Sequence, residues 1–154
     1  MAVAIAPYSG MYFHRSVLER HGLPDETFLL YADDTDFSFR LTRAGGAIIL
    51  VAAAQLRDLE DSWNGKARFS DTFDALLLGE GDARAFYSTR NNACFEHRHY
   101  RAHPLIRWTN RAIYLSALRW RASMLGRQAR FDLLMSAIRD GEAGQLGQHP
   151  QFPI

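Results

Sequence analysis

Apolar and polar positions fall into blocks that set out the elements in order. Ser16-Val17-Leu18-Glu19 has Ser and Glu three apart, the spacing of a capping box, and Gly22 followed by Pro24 is a stop, so the pattern predicts a short helix over residues 16–21. Phe37, Leu41 and Ala44 recur at helical spacing until Gly45-Gly46 ends the run. Residues 47–53 then read Ala-Ile-Ile-Leu-Val-Ala-Ala, an unbroken apolar segment that predicts a strand buried on both faces. Farther along, Ile106, Ile113, Ala117, Trp120 and Met124 share one helical face with Arg107, Arg111 and Arg121 largely off it, and Phe131, Leu134, Met135 and Ile138 repeat the pattern. Gly79-Glu80-Gly81 begins like a dinucleotide fingerprint, but position 84 is Arg and no strand leads into it, so it reads as a connecting loop. The expectation is an α/β chain: a part with helices and a core strand over residues 1–82, then an all-helical tail over residues 83–154.

Charge sharpens that division. Residues 1–82 carry 7 Lys plus Arg against 13 Asp plus Glu, whereas residues 83–154 carry 11 Arg against 4 acids. Between positions 84 and 130 there are ten Arg and one acid, Glu96, with Phe86, Tyr87, Tyr100, Trp108, Tyr114 and Trp120 interleaved. Arg mixed with aromatics suits an anionic membrane surface or a phosphate-bearing ligand. Nucleic acid is not expected as a partner, because no recognisable binding module accompanies the basic patch. The two amphipathic helices fit either a tail that touches the membrane or packing against the domain or a second subunit.

The densest chemistry lies at the start of the second predicted helix. Tyr31-Ala32-Asp33-Asp34-Thr35-Asp36-Phe37-Ser38-Phe39-Arg40 crowds three carboxylates into four residues. Acids in a first helical turn complement the macrodipole, contributing about 0.3 to 1 kcal/mol each, and one or two are common for that reason alone. Three in four residues fit that account poorly. Close like charges are how a protein makes a carboxylate basic enough to take a proton near neutral pH.

These residues and their surroundings carry a resemblance. Ser9-Gly10-Met11, Arg15-Ser16-Val17-Leu18, Gly22-Leu23-Pro24-Asp25-Glu26, the run from Phe28 through Phe37, Arg40 and Gly45 resemble the acceptor-side half of family 2 glycosyltransferases, in particular the rhamnosyltransferase-like and galactofuranosyltransferase-like branch that builds bacterial cell-surface polysaccharides. The likeness continues through Leu59-Glu60-Asp61-Ser62-Trp63, Phe86-Tyr87-Ser88-Thr89-Arg90-Asn91-Asn92 and Ala137-Ile138-Arg139-Asp140-Gly141, with Gly144 and Gly147. It covers nearly the whole chain, through the order and spacing of the set.

The resemblance implies a partial GT-A-type sheet with helices, followed by the basic helical tail, and an inverting glycosyl transfer. Asp34 would be the general base that deprotonates the acceptor hydroxyl, with Asp33 and Asp36 holding hydroxyls and tuning Asp34. Ser9 and Gly10 would line the donor and acceptor site, a turn glycine otherwise serving backbone geometry alone. Trp63 would stack on a sugar ring or cap the core. Arg90, with Asn91, would face phosphate or cap a helix end. The partners implied are a nucleotide-sugar donor and a saccharide or lipid-linked acceptor.

Two departures qualify the likeness. Such enzymes begin with a nucleotide-binding half ending in a metal-binding Asp-x-Asp, and this chain starts after where that half would end. A second polypeptide would then supply the nucleotide-binding half, and the chain alone is expected to be inactive; the other partner expected is a second copy of the chain in a homo-oligomer. Asp34-Thr35-Asp36 has Asp-x-Asp spelling, but its neighbours place it at the base. Where many relatives put a metal-binding His, this chain has Arg57 and Asp58; Asp58 would serve as an oxygen ligand for Mg²⁺ or Mn²⁺, or Arg57 would meet phosphate. The alternative is a non-catalytic remnant acting as a membrane- or partner-binding module.

The remaining features resolve simply. With 154 residues, 47% hydrophobic and 23% charged, the composition is that of a globular domain. The single Cys94 has no disulfide partner within the chain and reads as a small packed side chain. His97, His99 and His103 are close in sequence, but Arg98 and Arg101 beside them would repel a cation, so they read as surface or phosphate-facing residues. The uncharged run over residues 44–56 has 13 residues, where a spanning helix needs about 20. No N-terminal segment joins a basic start to an apolar core and cleavage site, so the chain reads as cytoplasmic, at the inner face of the membrane if its acceptor is lipid-linked.

Overall fold

The structure, a computed structural model, describes residues 1–56, 72–79, 81–100 and 103–153. The chain divides into two compact units, Met1–Lys66 and Ala67–Ile154. The division expected after residue 82 falls inside the second unit, because helix α3 (Thr72–Leu78) buries Leu77 in the same core as Leu118, Ala122 and Leu134.

In the first unit, strand β1 (Ala2–Val3) pairs antiparallel with β2 (Ile48–Ile49), Ala2 opposite Ile49 and Val3 opposite Ile48. The long core strand expected over residues 47–53 is therefore two residues of an open pair. Ile49, Leu50 and Val51 are 61%, 53% and 60% exposed, because two rungs of pairing cover neither face of the run. This pair is the sheet of the described residues, so what the chain shows is a mostly helical architecture with one small antiparallel sheet.

Helix α1 (Ser16–His21) has the expected bounds, and Gly22, at φ 76°, ends it with its N–H on the Leu18 carbonyl. The expected capping box does not form. The helix is entered from Arg15 in helical conformation, Glu19 turns to the Arg15 guanidinium at 3.1 Å, and Ser16 Oγ bonds the His14 ring at 2.9 Å.

Helix α2 (Asp33–Arg43) supplies the core of this unit: Phe37 and Leu41 are buried with Phe28 and Ala32. Burying a side chain such as Phe37 contributes about 1.5 to 3 kcal/mol. Its flank carries two hydroxyls that hold the N-terminal segment, Ser38 Oγ accepting the Ala6 N–H at 3.1 Å and Thr42 Oγ1 donating to the Ala4 carbonyl at 2.9 Å. Gly45, at φ 88°, closes α2 as the glycine pair predicts, and the Gly46 N–H reaches back to the Leu41 carbonyl at 3.0 Å.

The second unit continues with α4 (Asp82–His99), α5 (Pro104–Met124) and α6 (Gln128–Glu142). α4 and α6 approach closely at Gly141, where an added Cβ would stand 2.1 Å from the Arg90 carbonyl oxygen. The C-terminal segment returns over α4: the Tyr87 hydroxyl donates to the Phe152 carbonyl at 2.7 Å and accepts the His149 N–H at 2.9 Å. α5 turns Arg107, Arg111 and Arg121 toward the rest of the unit and leaves Arg119 exposed. Arg121 makes a two-pronged bond to Asp74 of α3, both contacts 2.8 Å, which holds the Asp74 carboxyl below its ordinary range. The apolar stripe faces out: Ile106, Ile113, Trp120 and Met124 are each more than half exposed. No helix among the described residues is long and apolar enough to cross a membrane.

Candidate functional site

The acidic turn is presented by unusual backbone. Leu30 (φ 70°) and Ala32 (φ 65°) both lie in the left-handed region, and Ala32 is the residue from which α2 starts. Each such non-glycine conformation costs about 1 to 2 kcal/mol, a cost that concentrates at sites where a side chain must be aimed. The tight entry puts Asp33, Asp34 and Asp36 in the first turn, as the sequence predicts.

The three carboxylates then separate in role. Asp36 is buried, and its Oδ2 accepts Arg40 Nε at 2.8 Å one turn on. The same guanidinium donates to the carbonyls of His21 at 3.1 Å and Leu23 at 3.0 Å, so Asp36, through Arg40, is a strut between α2 and the end of α1. Asp34 is half-buried; its Oδ1 accepts both the Thr35 N–H at 2.6 Å and the Thr35 hydroxyl at 3.2 Å, which fixes the carboxylate while leaving Oδ2 without a partner among the described residues. Asp33 is half-buried beside it, with no hydrogen bond to a described residue.

Tyr8 joins this group, a residue the sequence reading did not single out. Its ring lies 6.1 Å from that of Phe37, and partial burial followed by the fields of Asp33 and Asp34 pushes its hydroxyl up to about 12, with Asp36 adding and Arg40 opposing. Ser9 and Gly10 follow in the turn closed by the Met11 N–H on the Tyr8 carbonyl at 2.9 Å. Gly10 sits at φ 72°, and a Cβ there would meet the Leu56 side chain at 2.2 Å, so turn geometry and packing account for this glycine. Ser9 is exposed.

Arg90 takes neither of its expected parts. It is fully buried in the second unit, Nη1 donating to the Gly147 carbonyl at 2.7 Å and Nε to Asn91 Oδ1 at 3.0 Å, with the guanidinium 4.7 Å from the Tyr87 ring centre. The physical reason is its place on the face of α4 that the C-terminal segment covers. Asp58 and Trp63, the metal-ligand and sugar-stacking candidates, lie outside the described residues, as do Arg57 and Asp61.

The histidines disperse: His97 Nδ1 meets Arg107 at 2.9 Å, His99 packs on the Phe95 ring at 5.0 Å, and the His103 side chain accepts the Leu105 N–H at the start of α5. Among the described residues no group of three or more His, Cys, Asp or Glu is placed to hold a metal ion. With Asp36 closed by Arg40, the acidic turn alone does not supply a divalent cation with a ligand set. What remains chemically is a fixed carboxylate, Asp34, with one oxygen unpartnered among the described residues, a second carboxylate at Asp33, and a phenol held protonated by partial burial and then by their field. Comparison with family models, curated proteins and solved structures gives no match to this chain.

Proposed function

We propose that the first unit is the acceptor-binding, base-bearing part of an inverting glycosyltransferase that acts on a cell-surface saccharide or lipid-linked acceptor. The observation that carries this reading is Asp34: a carboxylate immobilised through Oδ1 by Thr35, presented by two left-handed residues, with Oδ2 unpartnered among the described residues. In the reaction, Asp34 Oδ2 takes the proton of the acceptor hydroxyl while that oxygen attacks the anomeric carbon of a nucleotide-activated sugar. The bond to the nucleoside diphosphate breaks, and the diphosphate leaves with the electron pair. Asp33 accepts hydrogen bonds from neighbouring hydroxyls, and Tyr8, protonated throughout the neutral range, donates one. Asp36 acts only through the placement of α2. The donor's pyrophosphate and any divalent ion belong to residues other than this turn. In a preparation with transfer activity, Asp34→Asn lowers the rate by about 10² to 10⁴-fold and leaves nucleotide-sugar binding unchanged. Near-normal turnover in that variant would sink the assignment.

A second reading, a membrane-binding module, is favoured by one observation in the second unit. Ile106, Ile113, Trp120 and Met124 form an exposed stripe along α5, where packing against the unit's own core would have buried them. Trp and aliphatic side chains on an amphipathic helix with Arg beside them are the makings of an interfacial helix.

A further inference from the structure

Inside the helical unit, α4, α5 and α6 enclose a cleft of about 590 Å³, a volume in the range of small-molecule sites. α5 contributes Arg107, Asn110, Arg111 and Tyr114 at the spacing of one helical face, α4 contributes Thr89, Asn92 and Glu96, and α6 contributes Ile138 and Glu142 one turn apart. None of these residues belongs to the acidic turn, which lies in the other unit.

Two guanidiniums converge there on one carboxylate. Arg111 Nη1 pairs with Glu142 Oε1, and Arg107 Nη2 lies 3.9 Å from the same oxygen while meeting His97 Nδ1 at 2.9 Å. Each guanidinium has five N–H donors in a fixed fork, so one carboxylate oxygen and one imidazole leave most of them available. Glu96 and Glu142 are the acids of the lining, and Glu142 meets the two guanidiniums through one oxygen, so N–H donors of Arg107 and Arg111 remain for a further acceptor. A second observation points the same way. Thr89 Oγ1 is buried with no hydrogen-bond partner among the described residues, although a helical Thr that is turned from solvent can bond the carbonyl four residues back, as Thr109 does to Leu105 at 2.9 Å. A buried hydroxyl left unpaired costs stability and is an exception that calls for a partner. Tyr114, whose hydroxyl burial and the Glu96 charge keep protonated, lines the same cleft together with the apolar Leu115 and Ile138.

We propose that this cleft binds a small organic anion, its carboxylate or phosphate oxygens taken by Arg107 and Arg111, its body laid against Tyr114, Leu115 and Ile138, and Thr89 donating to it. The site is independent of the glycosyl-transfer reading. Oxyanion recognition by paired arginines is the shared chemistry, and forked guanidiniums suit both head groups.

The test is calorimetric titration of the whole chain with phenyl phosphate, benzoate and, as the head group alone, inorganic phosphate. Saturable binding of phenyl phosphate or of benzoate is expected, the tighter of the two identifying the head group, with inorganic phosphate weaker than phenyl phosphate because it leaves the apolar wall uncovered. Arg111→Gln should weaken binding by about tenfold or more, since hydrogen bonds to charged groups are the strong ones. Because Arg111 also joins α5 to α6, the decisive variants are at Asn110, which lines the cleft from an exposed position. Asn110→Glu should loosen binding and Asn110→Lys tighten it, each by about three- to tenfold, the order of effect of one charge placed at the cleft's edge. Absence of saturable binding by all three probes overturns the proposal, as does binding that ignores the sign of charge at position 110. Thr89→Val, with melting followed alongside, gives a further check: lost affinity with an unchanged melting temperature supports a hydroxyl turned to the ligand, and unchanged affinity removes Thr89 from the site.

Discussion

Asp36 and Arg40, one helical turn apart on α2, form a closed pair at 2.8 Å whose guanidinium also ties down the carbonyls of His21 and Leu23. This arrangement separates two acids that the sequence presents as equivalents. Arg40→Ala removes two hydrogen bonds to backbone and the Arg40 end of the ion pair with the buried Asp36 carboxylate. Breaking such a pair costs about 3 to 5 kcal/mol when both groups are buried, and the partly exposed Arg40 reduces that to about 2 to 3. Asp34→Asn keeps an oxygen for Thr35 and should change stability by less than about 0.5 kcal/mol. Amide exchange of Phe37 and Ser38 reads the difference. Comparable losses in the two variants would show that Asp34 is also a structural acid.

Tyr8 reports the field of the acidic turn. Its hydroxyl ionises at about 12 in the folded chain against 10.0 for an ordinary tyrosine, first from partial burial, then from Asp33 and Asp34. A raised folded value means that the contribution to stability is fully present below pH 10 and is lost as pH rises through 12, because the unfolded chain gives up the proton first. The phenolate absorbance difference between the parent chain and Tyr8→Phe isolates this group. Asp33→Asn and Asp34→Asn should each bring the midpoint down. A midpoint that neither substitution moves would place Tyr8 away from the carboxylates.

Gly141 sets the spacing of α4 and α6. A methyl group there meets the Arg90 carbonyl oxygen at 2.1 Å and Ala93 Cβ at 3.0 Å, and a backbone carbonyl within a helix cannot step aside alone. Helix propensity favours Gly141→Ala by about 1 kcal/mol, whereas overpacking costs about 1 to 3. With backbone as the obstacle the clash wins, and a net loss of about 1 to 2 kcal/mol is expected in urea denaturation. Equal or greater stability would mean that the two helices separate without penalty.

What could be read from the sequence was what neighbours in the chain decide. Gly22 and Gly45-Gly46 end α1 and α2 where predicted, and Asp33 to Asp36 occupy a first turn, because caps and turns are local. The strand expected over residues 47–53 is cut to two residues: its composition suits a buried strand, but burial depends on what covers it, and Ala2 and Val3 pair with only Ile49 and Ile48. α5 was recognised by period but not by orientation. Arg111, Arg121 and Arg90 look like surface residues until their distant partners Glu142, Asp74 and the Gly147 carbonyl are known. The two pairings of α5, Arg111 with Glu142 and Arg121 with Asp74, turn that side of the helix inward and its apolar stripe outward. A sign was present in the spacing of Arg107, Arg111, Tyr114, Leu118 and Arg121, which marks a second helical face with its own partners.

That orientation defines the test of the membrane reading. Trp120, Ile113 and Met124 are 65%, 64% and 62% exposed, so changing them removes little packing from the unit. Arg107 and Arg111 lie beside Glu142, whose charge offsets theirs, which makes them poor probes of a surface field; the exposed Arg119 and Arg127 are better ones. Near an anionic bilayer each basic residue contributes about 1 kcal/mol, and Trp120 and its neighbours would settle at the boundary between head groups and acyl chains. Binding should weaken with salt as the Debye length falls from about 10 Å at 0.1 M to about 3 Å at 1 M. Co-sedimentation with vesicles containing anionic lipid separates the contributions: Trp120→Ala lowers binding through lost insertion, and Arg119→Glu with Arg127→Glu lowers it through lost attraction, both at an unchanged melting temperature. Loss from the charge changes alone would indicate a surface that meets anions without entering the bilayer. Should neither substitution matter, the stripe is a contact for another protein surface and the membrane reading fails.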